Sequence, residues 1–147
     1  MLHYQIEFDD YRQHLMHVTV RFLANPTQVL SLPTWIPGSY LIREFSKHLE
    51  SVRAYDEAGR ILKIQKFAKN KWRLFNTDHE LITVEYDVYA YDLSVRGAYV
   101  DQTRLYVNPA CACLGLDGQE DKAIEVELFL QDELKHFQLA TGLADNR

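Results

Sequence analysis

A period-two alternation runs through this chain and limits what it can fold into. In "QHLMHVTVRFL", Met16, Val18, Val20 and Phe22 fall on one side of an extended backbone, and Leu15, His17, Thr19 and Arg21 on the other. That pattern describes a strand with one face in a core and one in water. "ITVEYDVYAY" repeats it with Ile82, Val84, Tyr86, Val88 and Ala90 inward, and "AIEVELFL" with Ile124, Val126, Leu128 and Leu130 inward. Shorter β-compatible runs lie at Tyr4 to Phe8, Val29 to Leu32, Ser51 to Tyr55, Ile61 to Lys66, Trp72 to Phe75 and Arg104 to Val107. "YDEAGRILKI" reads as a hairpin, with Asp56 and Gly59 supplying the turn. Only "REFSKHLE", Arg43 to Glu50, has room for a short helix. Half-buried strands at such close spacing need an opposing layer. The expected architecture is all-β, an antiparallel β-sandwich or saddle-like double sheet with at most one or two short helices.

A chain of 147 residues buries one hydrophobic core, so a single domain spanning 1–147 is expected. The last residues, "ATGLADNR", lose the periodicity, which fits a frayed end or a domain junction. Net charge is −5, and Lys and Arg are scattered, which leaves no electrostatic footprint for nucleic acid. "MLHYQIEFDD" lacks the basic and apolar regions of a signal peptide, and no run approaches the ~20 apolar residues that span a bilayer. The two cysteines, Cys111 and Cys113, are two apart in "PACACL", where a bridge would close a strained ring. They read as small reduced core residues in preference to a redox or metal pair. Together these features point to a soluble protein, cytoplasmic by its lack of signal and disulfides.

Catalytic motifs are absent. The chain has no His-Glu-x-x-His zinc motif, no nucleophile elbow, no phosphate loop and no dinucleotide fingerprint. Its six histidines are dispersed, and His14 and His17, three apart, would face opposite sides of a strand. No catalytic, cofactor-binding or metal-ligating residue is assigned. Two glycine-containing polar interruptions break the β pattern. In "LPTWIPGSYLIREF", Pro37 and Gly38 specify a sharp turn, Ser39 can bond to the local backbone, and Trp35, Ile36 and Tyr40 would hold the turn against the sheet. In "DLSVRGAYVDQTRLY", Arg96, Tyr99, Asp101 and Arg104 surround Gly97. The first is a structural corner or a binding device; the second is a strand end held by an Arg–Asp pair or a polar loop offered to a partner.

The first interruption also carries a family resemblance. "LPTWIPGSYLIREFSKHLESVRAYDEAGR" resembles the signature of the N-terminal β domain of the glycyl aminopeptidases, zinc metallopeptidases of family sixty-one that carry a C-terminal PDZ domain. "KWRLFN", "VEYDVYAYDLSVRGAYVD" and the closing "ATGL" extend the likeness over roughly Tyr4 to Leu143. The resemblance implies a saddle-like β domain that precedes a thermolysin-like zinc domain and a PDZ domain, neither of which is in this sequence. It implies a zinc aminopeptidase parent acting on peptides, with zinc bound only in the absent catalytic domain and none here. The partner is then the catalytic domain of the same polypeptide, whose substrate cleft this domain helps to shape. Candidate cleft or interdomain contacts are Trp35, Pro37, Gly38, Ser39, Tyr40, Arg43, Arg96, Tyr99 and Asp101. An exposed apolar patch should mark where the neighbour sits. Two other classes stay open. One is a stand-alone β-sandwich module binding peptide or carbohydrate in a groove of Trp35, Tyr40 and Trp72. The other is a self-associating structural protein joined at its edge strands.

Overall fold

The computed structural model describes residues 1–33, 48–91 and 98–144. Its largest element is a six-stranded sheet built around two long strands, β2 (Leu15–Ala24) and β8 (Glu80–Tyr89). They pair antiparallel from Leu15↔Tyr89 to Ala24↔Glu80. β1 (Leu2–Glu7) adds to β2, and β4 (Leu49–Tyr55) to β8, both antiparallel. β5 (Ile61–Leu62) and β12 (Ile124–Phe129) close the two edges, in the order β12-β1-β2-β8-β4-β5.

A four-stranded sheet forms the second layer, ordered β11 (Gly115–Leu116), β3 (Val29–Ser31), β7 (Lys71–Leu74) and β6 (Ile64–Ala68). The expected alternation decides what meets between the layers. Met16, Val18, Val20 and Phe22 are buried, as are Ile82, Val84, Tyr86, Val88 and Ala90, and they join Leu30, Trp72, Leu74 and Leu116 in one core. The fold is all-β, as the periodicity requires.

Several local expectations change. The run Ile61 to Lys66 is two strands, β5 and β6, which belong to different sheets and divide at Lys63. A single chain thus passes from one layer to the other. Leu49 and Glu50, expected at the end of a helix, instead open β4, and residues 43–47 of that stretch lie outside the described residues. A bulge between Glu50 and Arg53, with Ser51 at φ 55°, lets β4 start early. The hairpin at Asp56 forms as expected, with Gly59 at φ 82° and Asp56 Oδ1 accepting the Arg60 N–H at 2.8 Å.

The strand at 124–129 forms, but it pairs parallel with β1, in the register Leu2↔Ile124 to Glu7↔Phe129. Among the described residues it is an edge strand with a strand neighbour on one side only, so the expected inward set is incompletely covered. Val126 and Leu130 are partly buried, while Ile124 is 61% exposed and Leu128 39%. Trp72 is buried in the core and so cannot line an open groove, which removes the Trp72 wall of the proposed binding-module groove; Trp35 and Tyr40 lie outside the described residues.

Two polar devices tie the layers together. Three buried amides, Gln28, Asn76 and Gln119, join the connections β2–β3, β7–β8 and β11–β12. Gln28 N–H bonds to Asn76 Oδ1, Gln28 Nε2 donates to Asp117 O, and Gln119 Nε2 donates to both Gln28 Oε1 and Leu23 O. Buried amides are affordable only when paired in this way. The second device is a pair of tyrosines. Tyr86 donates its hydroxyl hydrogen to Ala112 O at 2.5 Å and accepts the Leu114 N–H at 3.0 Å, and Tyr4 donates to Leu114 O. Burial raises the Tyr4 phenol and places that of Tyr86 far above its ordinary range, so both remain donors. They pin the segment that carries Cys111, which is buried, and Cys113, whose thiol burial pushes up to about 12. Neither cysteine forms a disulfide.

Candidate functional site

Of the candidate contacts, Trp35, Pro37, Gly38, Ser39, Tyr40, Arg43 and Arg96 lie outside the described residues. Tyr99 and Asp101 are described, and the structure brings them together. β9 (Ala98–Val100) pairs antiparallel with β10 (Leu105–Val107) as a small separate hairpin. Alternation turns Ala98 and Val100 into the core and Tyr99 to the surface.

Two bonds fix the hairpin to the end of the large sheet, and a third closes that end. Val100 N–H donates to Ala90 O at 3.0 Å, and Ala90 N–H to His14 O at 2.7 Å. His14 Nδ1 lies 2.7 Å from Val100 O, and because a carbonyl only accepts, Nδ1 must carry the hydrogen. His14 occupies a left-handed position, φ 60°, at the end of the turn Tyr11–Gln13. Expected in a strand, it instead closes the corner before β2.

Asp101 organises the hairpin turn. Its Oδ1 accepts the Thr103 N–H (2.6 Å), the Thr103 hydroxyl (2.7 Å) and the Arg104 N–H (2.9 Å), while Oδ2 accepts the Tyr99 hydroxyl at 2.6 Å. Both oxygens are committed within the turn. The Tyr99 hydroxyl, then Thr103 and the backbone, hold the Asp101 carboxyl well below the usual carboxylate range despite some desolvation. The same bond raises the Tyr99 phenol. The pair therefore stays ionised acid and neutral phenol at neutral pH, a rigid support with no proton to exchange.

The tyrosine it supports is one of a surface row. Tyr99 lies opposite Tyr106 in the hairpin and bridges to Tyr91, and Tyr89 precedes it on β8. The Tyr91 ring stands 4.4 Å from that of His14 and 5.6 Å from that of Tyr99, and Tyr89 lies 6.4 Å from both His14 and Tyr91. Tyr89, Tyr91 and Tyr106 are 42, 59 and 40% exposed. Aromatic rings with hydroxyl rims, gathered on a stiff frame, suit a contact surface.

His14, Tyr89 and Tyr91 were not among the sequence candidates. The alternation that turns Val88 and Ala90 inward turns Tyr89 and Tyr91 outward, so that signal was present. His14 carried none, since its role depends on the chain reversal at Tyr11–Gln13. His17 faces outward on β2, bonded through Nδ1 to Asp87 on β8 and through Nε2 to Asp10 at 2.7 Å. Among the described residues, no group of three or more His, Cys, Asp or Glu is arranged to hold a metal ion, so they do not fit a zinc centre.

The comparisons with known proteins agree with the fold. The chain superposes on a crystal structure of an aminopeptidase N family protein from Idiomarina loihiensis with a TM-score of 0.86 and 42% identity, over 90% of this chain and 22% of that one. This chain thus spans about a fifth of the length of that relative. No curated protein matched. The family model of the peptidase M61 N-terminal domain matches residues 3–147, and by that match over nearly its whole length the chain belongs to the family of peptidase M61 N-terminal domains.

Proposed function

We propose that this chain is the non-catalytic N-terminal β domain of a zinc-dependent, aminopeptidase-type metallopeptidase. In this role it packs against the catalytic domain and shapes one side of the substrate cleft. The family match over residues 3–147, to a domain named as N-terminal, carries the proposal. The share of the solved relative that it covers, 22%, leaves room for a much larger neighbour. The tyrosine row beside Tyr99 is the described surface best suited to meet that neighbour. Zinc and the water-activating carboxylate would come from the catalytic domain, where the chemistry of hydrolysis needs them.

The test is hydrolysis of glycyl and alanyl amides with zinc supplied, for this chain alone and for this chain joined to the coding sequence that follows Arg147. Activity confined to the joined protein is the expected result. Turnover by the isolated chain would place chemistry here and overturn the proposal.

A further inference from the structure

The two edges of the six-stranded sheet are unlike. β5 is two residues long, a short edge that offers little to a passing strand. β12 is six residues long, and among the described residues its only strand partner is β1. A strand of that length with one side unpaired presents a ladder of backbone donors and acceptors.

The side chains along this edge specify what the ladder would accept. On the inner face, Ile124 is mostly uncovered and Leu128 partly so. A depression of about 260 Å3, lined in part by Leu2, Leu116 and Ile124, lies at the same edge. On the outer face stand Glu125 and Glu127. Both reach one imidazole, His3, at 3.1 and 3.2 Å. Two carboxylates share this one imidazole, which keeps this stretch of the outer face acidic.

Self-pairing would waste this arrangement. A two-fold antiparallel pairing of β12 with its copy keeps each face continuous, so it sets Glu125 against Glu127, or one of them against itself. Like charges directly opposite are destabilising. A strand with apolar side chains inward and basic ones outward answers both faces.

We infer that the β12 edge is a strand-addition site for a partner polypeptide segment that alternates apolar with basic residues. The incoming segment extends the sheet by backbone pairing, covers Ile124 and Leu128, and sets Lys or Arg beside Glu125 and Glu127. This goes beyond the accessory role in an aminopeptidase and does not depend on it.

The test titrates the 147-residue chain with a synthetic peptide alternating valine with lysine. A valine–glutamate peptide and a lysine–valine peptide without alternation serve as controls, and backbone amide shifts report the site. The alternating basic peptide should bind at least tenfold more tightly than either control, with the largest shifts in residues 124–129. E125K/E127K should reverse the preference towards the valine–glutamate peptide. Absence of binding, equal binding of the three peptides, or shifts centred elsewhere in the wild-type chain would overturn the inference, whatever the variant does. So would a concentration-dependent dimer that buries β12, since the occupant would then be a second copy.

Discussion

Tyr86 and Tyr91 lie five residues apart on and just beyond the same strand, yet they belong to different regimes. Tyr86 is fully buried, and its hydroxyl serves as donor to Ala112 O and acceptor from Leu114 N–H. Tyr91 is 59% exposed and held by ring contacts with His14 and Tyr99. A buried hydroxyl must be satisfied, so its geometry is fixed by the core around it. An exposed ring in a row of aromatic neighbours gives up little when removed, so the fold itself makes a small demand on it. The same residue type is thus a strut in one place and, in the function proposed above, a contact in the other.

The sharpest way to break this contrast is to truncate the strut. Tyr86→Ala removes a large buried ring and leaves the Leu114 N–H without its acceptor, and we expect it to cost about 4 kcal/mol. Tyr86→Phe retains the ring and should cost about 2 kcal/mol, from the orphaned N–H and carbonyl alone. Urea unfolding followed by fluorescence measures both. A loss under about 1 kcal/mol for Tyr86→Phe would show that the hydroxyl is not the pin for residues 112–114 that its bonds suggest. Tyr4→Phe is the internal control. It removes a single donor to Leu114 O, a carbonyl that can accept elsewhere, so its cost should be nearer 1 kcal/mol.

His17 stands between these extremes, partly exposed on the outer face of the large sheet. Burial alone would lower its pKa, but hydrogen bonds to Asp87 and Asp10 outweigh that and raise it above the ordinary 6.5. With a carboxylate at each ring nitrogen, and Glu7 opposite it on β1, both nitrogens serve best as donors, which requires the imidazolium. A raised folded pKa makes the stabilisation full below the unfolded value and removes it as pH rises through the folded value. The destabilisation of His17→Gln should therefore be widest near about pH 6 and shrink towards about pH 9. A gap between wild type and variant that stays constant over this range would mean that the ring is held by packing and not by charge.

How much of this was readable beforehand follows the same divide. The alternation in β2 and β8 identified the core-facing residues one by one, because a period of two is a property of the strand itself. It also turned Tyr89 and Tyr91 outward. It missed that β12 pairs parallel at an edge, so it placed Ile124 and Leu128 in a core that does not cover them; strand neighbours depend on the whole topology. It joined 61 to 66 in one strand, because nothing local marks the change of sheet at Lys63. The hairpin at Asp101 was legible only in part, and the role of His14 not at all. The Asx-type turn at Asp101 is local, but the meeting of His14 with Val100 links positions 86 residues apart. The segment "WIPGSYLIREF", which carried the family resemblance, lies outside the described residues, and the tyrosine row stands beside the second interruption instead.

The smallest expected effect on folding is also the one that sharpens the contrast most. Tyr91→Ala removes ring contacts at the surface, worth about half of a buried aromatic pair, so the isolated chain should lose no more than about 0.5 kcal/mol. Joined to its catalytic neighbour, the same variant should weaken the coupling between domains, seen as earlier separation of the two unfolding steps by calorimetry, because the tyrosine row would then be part of a buried contact. Tyr91→Phe should recover most of that coupling if ring area matters, and little of it if the hydroxyl does. A loss of about 2 kcal/mol or more in the isolated chain would make Tyr91 a strut like Tyr86, and the surface row would then be part of the fold's own support and no longer a candidate for contact with another domain.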